Sequence, residues 1–107
     1  VRYERRYPAT VNTAEETGHA VRAARAVVGD AQVETDPIPE LGSEDFAFML
    51  QAKRGCYVWM GTGEGEGTVN VHNPRYDFND RALAVGGSYW VTLAEQQLPV
   101  RAAQRAA

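Results

Sequence analysis

The hydrophobic residues of this 107-residue chain follow two different spacings, and the helical spacing is clearest in residues 12–30. An apolar stripe recurs there at helical intervals, formed by Ala20, Val21, Ala24, Val27 and Val28. Thr13 followed three residues later by Glu16 forms a capping box, and Gly29 stands where a helix-ending glycine belongs. The same criteria predict a second helix over residues 42–55, capped by Ser43, and a third over residues 80–98, capped by Asn79.

The second spacing is an alternation of apolar and polar residues, which predicts strands. It occurs in residues 1–8, where Pro8 ends it, and more weakly in residues 31–36. Residues 56–61 form a continuous apolar run, typical of a strand covered on both faces. This order predicts an α/β fold, a partial mixed or parallel sheet flanked by helices. Because three strands leave long unpaired edges, we expect this unit to be part of a larger sheet, with exposed sheet edges that favour self-association.

Composition narrows the range of partners. A net charge of −3 provides no basic face for nucleic acid, and 44% hydrophobic residues indicate a globular protein. No apolar run approaches the roughly 20 residues that cross a bilayer, and the single cysteine, Cys56, gives no support for secretion. We therefore expect a cytoplasmic protein without nucleic-acid or membrane partners. The glycine-rich segment 61–68 is predicted to be a mobile surface loop.

His72 lies in a dense polar and aromatic segment, VHNPRYDFND at residues 71–80. As a lone histidine it is either a loop residue that bonds a turn carbonyl, which is the commoner case, or a metal ligand. Pro74 fixes the backbone close to it, as a ligand requires. Asp77 and Asp80 are candidates to orient the imidazole as outer carboxylates, or to cap the third helix. Spacing alone leaves both interpretations open.

Gly42, Ser43 and Glu44 open the predicted second helix. Exposed amides at a helix start can receive a substrate anion, but the acidic residues here add negative charge in the same turn. A plain helix cap is therefore the simpler interpretation. Cys56 is predicted to be a buried, unreactive thiol, and His19 a solvated surface residue.

Three segments together resemble a known family: YPATVNT, GSEDFAFML, and HNPRYDFND followed by GGSYW. They are similar to the C-terminal part of the zinc-peptidase-related amidohydrolases, which include hippurate hydrolases, N-acyl-amino-acid amidohydrolases and auxin-conjugate hydrolases. The resemblance implies a two-metal catalytic α/β domain interrupted by a lid domain. Residues 1–8 would return from the lid, residues 9–98 would close the catalytic domain, and residues 99–107 would be a frayed tail.

The resemblance also implies roles for the candidate residues. His72 would be the one metal ligand in this part of the family pattern, and Gly42, Ser43 and Glu44 would lie near the substrate pocket. The metal would be zinc or manganese, with nickel and cobalt also open, and it would bind only together with ligands that the family places upstream. None of the residues present would be catalytic.

The function implied is therefore a fragment of a metal-dependent amidohydrolase that cleaves the amide bond of N-acyl amino acids or similar conjugates and is inactive alone. Its partners would be the rest of the catalytic domain, the lid and a small acyl-amino-acid substrate. The start at Val1 instead of Met favours a fragment over a separate complementing subunit. A stand-alone α/β binding or interaction module with a structural His72 is the alternative from a different class.

Overall fold

The computed structural model describes residues 1–4, 6–63, 65 and 68–98, and its regular structure is helical. Helix α1 spans Ala14–Val28 and is followed by a 3₁₀ turn, Asp30–Gln32; α2 spans Phe46–Ala52 and α3 spans Arg81–Gln97. Helices α1 and α3 pack against each other. No helix in the described ranges is long and apolar enough to cross a membrane. The predicted frayed tail, residues 99–107, lies outside the described residues, and so do three positions of the predicted loop, Glu64, Glu66 and Gly67.

The α/β prediction is wrong, because the part of the chain that the structure describes contains no strand. Neither the predicted sheet nor its exposed edges exist there. A period of two indicates which residues suit an extended backbone, but a strand also needs a neighbouring strand for its hydrogen bonds. Residues 31–36 instead begin within the 3₁₀ turn, and residues 56–61 find partners of another kind.

Residues 55–57 are bonded to the residues just before α1, in a contact that we call the clasp. Asn12 Oδ1 accepts the Tyr57 N–H at 2.8 Å, and Asn12 Nδ2 donates to the Tyr57 carbonyl at 2.9 Å. Next to this pair, Thr13 Oγ1 accepts the Gly55 N–H at 3.0 Å, and the Thr13 N–H donates to the Gly55 carbonyl at 3.0 Å. The side-chain amide of Asn12, together with the hydroxyl and the main-chain N–H of Thr13, thus supplies the bonds that a neighbouring strand supplies in a sheet.

Thr13 precedes α1 as predicted, but its hydroxyl does not bond an amide of the first turn. Oγ1 lies 2.5 Å from Glu16 Oε2 and 3.0 Å from the Gly55 carbonyl, and both compete for its single proton. Arg54 adds ion pairs to Glu15 at 2.6 Å and to Glu16 at 3.0 Å. The bond from Thr13, and to a lesser degree Arg54, lower the pKa of the Glu16 carboxyl. The capping-box pair is therefore part of the clasp.

The other end of α1 follows the prediction: the helix stops at Val28, and Gly29 has a φ of 81°, which favours glycine. Helix α3 also begins close to its predicted start. Asn79 Oδ1 accepts the Arg81 N–H at 3.1 Å, the bond expected of a helix cap.

The buried core is small. The buried hydrophobic residues of the described chain are all alanines: Ala20 and Ala23 in α1 and Ala47 in α2. The radius of gyration is 17.9 Å, compared with about 13 Å for a compact chain of this length. The accessible surface is 9805 Å², compared with about 5,900 Å² for a compact protein of this mass. The chain therefore leaves unusually much of its surface open.

Much of that open surface is apolar. Helix α3 contributes no buried residue, and Leu83 and Trp90, which share one apolar face of it at helical spacing, are exposed. Gly86 and Gly87 share that face. A Cβ at Gly86 would meet the side chain of Met60, whereas one at Gly87 would meet open space. The amphipathic pattern of α3 thus predicts a contact surface that the described residues do not cover.

Candidate functional site at the His72 loop

His72 lies in a tight turn with a left-handed backbone. Its φ is 70°, the one positive value for a non-glycine residue in the described ranges. The turn is closed by the Asn73 N–H, which donates to the Asn70 carbonyl at 3.2 Å, and by the Tyr76 N–H, which donates to the Asn73 carbonyl at 2.9 Å. Asn73 Oδ1 also accepts the Arg75 N–H at 2.9 Å. The backbone around His72 is thus fixed locally, mainly by the bonds of Asn73.

The turn is also tied to a distant part of the chain. Asn79 Nδ2 donates to the Thr62 carbonyl at 3.0 Å, and the hydroxyls of Thr62 and Tyr76 lie 3.3 Å apart. The rings of Tyr76 and Phe78 meet edge to face, with centroids 5.2 Å apart. Two contacts therefore join the His72 turn to Thr62, directly after the apolar segment 56–61. The sequence predicted only a capping role for Asn79, because nothing in the spacing of Asn79 and Thr62 indicates the bond between them.

Neither proposed outer carboxylate is bonded to His72. Asp77 Oδ1 accepts the N–H of Phe78, its own neighbour, at 2.9 Å. Asp80 stands directly before α3, and its side chain makes no capping bond. The described residues contain no group of three or more His, Cys, Asp or Glu side chains that could hold a metal ion. This part of the chain therefore brings one exposed imidazole, and not a complete set of ligands.

The GSEDF segment has a different local structure from the predicted one. Helix α2 begins at Phe46, so Gly42 and Ser43 are exposed residues outside it, and Ser43 is not its cap. Glu44 is half-buried: Oε1 accepts the Phe46 N–H at 3.1 Å, and Oε2 accepts the Tyr57 hydroxyl at 2.9 Å. The Phe46 N–H, and next the Tyr57 hydroxyl, lower the pKa of Glu44, while the same carboxylate raises the pKa of Tyr57. Glu44 thus joins the start of α2 to the clasp.

An open groove of about 390 Å³ between α1 and α3 is lined by His19 and Cys56, neither of which was predicted to belong to a site. The expectation of a solvated His19 is wrong: its side chain is 28% exposed, and its Nδ1 is buried without a hydrogen-bond partner. Cys56 is half-buried, with Sγ 3.8 Å from the Tyr57 carbonyl. Burial, and then the nearby thiol, raise the pKa of Tyr89 at the same groove.

Comparison with known proteins identifies the family. The chain is 39% identical over 83 residues to YhaA of Bacillus subtilis (strain 168), whose name assigns it provisionally to the amidohydrolases; the match covers 76% of this chain and 21% of that protein. It is 34% identical over 91 residues to the hippurate hydrolase of Campylobacter jejuni, covering 85% and 23%. It is 36% identical over 76 residues to the N-acetylcysteine deacetylase of Bacillus subtilis, covering 71% and 19%.

The chain spans only about a fifth to a quarter of the length of these relatives. No solved structure matches it. The model of peptidase family M20/M25/M40, whose members are generally metal-dependent, matches residues 1–96 and confirms the resemblance carried by the three quoted segments. The chain therefore belongs to peptidase family M20/M25/M40.

Proposed function

We propose that this chain is a segment of a metal-dependent amidohydrolase that cleaves the amide bond of an N-acyl amino acid, and that it is inactive without the rest of that enzyme. The family match over residues 1–96 carries the proposal. Two relatives are named for N-acylated amino acids, as a hippurate hydrolase and an N-acetylcysteine deacetylase, which supports the substrate class.

In this proposal His72 supplies one metal ligand. Its imidazole is exposed, and its backbone is held by the turn around Asn73. A metal centre needs three or more protein ligands, and the described residues do not supply that set. We therefore assign no catalytic step to this chain and propose that the remaining ligands come from another region of the enzyme. Zinc or manganese is the proposed metal, and nickel and cobalt suit an imidazole ligand as well.

The proposed partner of the chain is the remainder of the catalytic domain with its lid. Trp59 is 72% exposed and Trp90 is 64% exposed, and many other large apolar side chains are open. An apolar surface of this extent commonly marks a surface that another part of a protein covers. Gly42, Ser43 and Glu44 are proposed to face the substrate side of this interface. Asp77 and Asp80 are proposed to orient His72 in the assembled site.

A hybrid enzyme tests the proposal. In the hippurate hydrolase of Campylobacter jejuni, the segment that this chain matches is replaced by the corresponding residues of the chain. Hippurate hydrolysis and bound metal are then measured for the hybrid, for its His72→Ala variant and for its His19→Ala variant. We expect the hybrid to hydrolyse hippurate and bind metal, with both properties lost in His72→Ala and kept in His19→Ala.

The comparison of the two histidines makes the result specific, since they are the only histidines that the chain contributes. A hybrid that binds metal equally well with and without His72 would remove His72 from the site. A well-folded hybrid with neither metal binding nor activity would favour an interaction module in which His72 is structural. The 107-residue chain measured alone should bind neither zinc nor manganese tightly.

A further inference from the structure

The left-handed backbone at His72 needs something to hold it. A residue with a side chain at positive φ is strained, and such strain persists where the surroundings fix the conformation. The bonds of Asn73 close the turn itself, but they are local and move with it. We infer that the left-handed conformation of His72 and its position relative to the rest of the chain both depend also on contacts from outside the turn.

Asn79 makes the strongest of these outside contacts. Its Nδ2 donates to the Thr62 carbonyl at 3.0 Å, while its Oδ1 accepts the Arg81 N–H at 3.1 Å. One side chain thus joins the end of segment 56–61 to the first turn of α3, on either side of the His72 turn. A carboxamide can make both bonds because it has a donor and an acceptor, whereas a carboxylate can make only the second.

Tyr76 provides a second, weaker contact from within the turn. Its hydroxyl lies 3.3 Å from Thr62 Oγ1, and its ring packs edge to face against Phe78. Asn79 and Tyr76 are both half-buried, so water competes less for these bonds than it would at an exposed site. Both contacts meet at the same residue, Thr62, near the start of the glycine-rich segment 61–68.

We propose that Asn79 is a positioning residue for His72, and that its bond to the Thr62 carbonyl, assisted by the Tyr76 hydroxyl, fixes where the His72 imidazole points. The proposal rests on the proposed function, in which His72 is used as a ligand. It goes beyond that function because it assigns a role to Asn79, Tyr76 and Thr62, none of which offers a ligand itself.

Substitution of Asn79 by Asp isolates the decisive bond. Asp keeps the acceptor for the Arg81 N–H but replaces the donor to Thr62 by an oxygen that repels the carbonyl. Asn12→Asp is the matched control, because the side chain of Asn12 makes the same two kinds of bond at the clasp. Its Nδ2 donates to a carbonyl, and its Oδ1 accepts an N–H. Tyr76→Phe removes the second contact alone.

The first measurement is nuclear magnetic resonance of the 107-residue chain. A strong amide-to-Hα nuclear Overhauser effect within His72 reports its positive φ, and the chemical shifts of α1 and α3 report the fold. We expect Asn79→Asp to abolish the His72 signal with both helices intact, Tyr76→Phe to weaken it, and Asn12→Asp to leave it unchanged. An unchanged signal in Asn79→Asp would overturn the proposal. So would the joint loss of this signal and both helices, because Asn79 would then be a general structural residue.

The second measurement uses the hybrid enzyme and zinc as the probe. Asn79→Asp is expected to weaken zinc binding roughly 10- to 100-fold, as the loss of an outer partner of a metal-binding histidine does. Asn12→Asp is expected to leave it within about threefold. If His72→Ala abolishes zinc binding by the hybrid but Asn79→Asp leaves it unchanged, the positioning role of Asn79 is refuted and the proposed function is not. If His72→Ala leaves zinc binding unchanged, the proposed function is refuted. The nuclear Overhauser effect within His72 would then still show whether Asn79 fixes the conformation of the turn.

Discussion

Substitution of Thr13 by Val should destabilise the chain more than any other single loss of a hydroxyl near α1. Val keeps the shape and branching of Thr but removes the oxygen that accepts the Gly55 N–H at 3.0 Å. It also removes the proton that Gly55 O and Glu16 Oε2 share. The main-chain bond from the Thr13 N–H to the Gly55 carbonyl remains, so the clasp weakens without being abolished.

The magnitude follows from what is left without a partner. An amide deprived of its acceptor costs about 1–3 kcal/mol when it is buried. Because Gly55 is half-buried, water replaces part of the lost bond, and we expect a loss near the lower half of that range, about 1–2 kcal/mol in the free energy of unfolding. The pKa of Glu16 should also rise, because the bond from Thr13 is the largest cause of its lowering.

Thr17→Val is the matched control, one helical turn further along. Thr17 is also half-buried, but its hydroxyl donates only to the Thr13 carbonyl at 2.8 Å, which already accepts the Thr17 N–H at 2.9 Å. Its removal leaves no group unbonded, so the cost should be about 0.5 kcal/mol or less. Urea unfolding followed by circular dichroism gives both free energies, and amide exchange at Gly55 shows whether the clasp has opened. Equal losses for the two variants, or unchanged exchange at Gly55, would refute this account of the clasp.

The bond between Glu44 and Tyr57 makes stability depend on pH at both ends of the scale. Because the pKa of Glu44 is lowered in the folded chain, its ionised carboxylate stabilises the fold above the ordinary pKa of 4.5, and this stabilisation is lost as the pH falls through the lowered pKa. Because the pKa of Tyr57 is raised, its protonated hydroxyl stabilises the fold below the ordinary pKa of about 10, and this stabilisation is lost as the pH rises through the raised pKa. Tyr57→Phe should raise the pKa of Glu44 part of the way, since the bond from the Phe46 N–H remains, and a carbon-detected titration that shows no change would contradict this. Gly18→Ala and Gly29→Ala should change the free energy of unfolding in urea in opposite directions. Gly18→Ala should stabilise α1 by about 1 kcal/mol, whereas Gly29→Ala should destabilise the end of α1 by about 1 kcal/mol, because Gly29 has a φ of 81°. Effects of the same sign would contradict the assigned end of α1. In the chain alone, the fluorescence of the two tryptophans should have the emission maximum of exposed indole, and in the hybrid enzyme this maximum should shift to the blue. A blue-shifted maximum in the chain alone would contradict the open apolar surface.

The helices could be predicted from sequence to within a few residues at α1 and α3, because the bonds that form a helix are local. Thr13, Gly29 and Asn79 all mark helix ends close to where the pattern placed them. The start of α2 was placed too early. Ser43 has the chemistry of a cap, but the side chain of Glu44 takes the Phe46 amide and is itself held by a tyrosine thirteen positions away.

The strands could not be predicted in the same way, because alternation describes one segment and a sheet requires two. Residues 56–61 have the composition of a covered strand, yet the part of this segment that forms the clasp is bonded by the side chain of Asn12. Asn12 belongs to one of the segments that indicate the family, so the resemblance pointed to its neighbourhood without assigning its role. A metal site could not be predicted from these residues for a similar reason, because a metal centre needs several ligands and the described residues do not supply such a set.

The carboxamide of Asn12 is chemically a copy of a peptide unit, and it faces the backbone of Tyr57 as a neighbouring chain would. An extended apolar segment with a free backbone edge is a template on which other molecules add strands and grow into fibrils. At Tyr57 both edge groups are already occupied, directly before the exposed side chains of Val58 and Trp59. Asn12→Ala should therefore shorten the lag before thioflavin-positive fibrils appear. A residue that contributes to the fold through two hydrogen bonds would then also protect the molecule from assembling with its own copies.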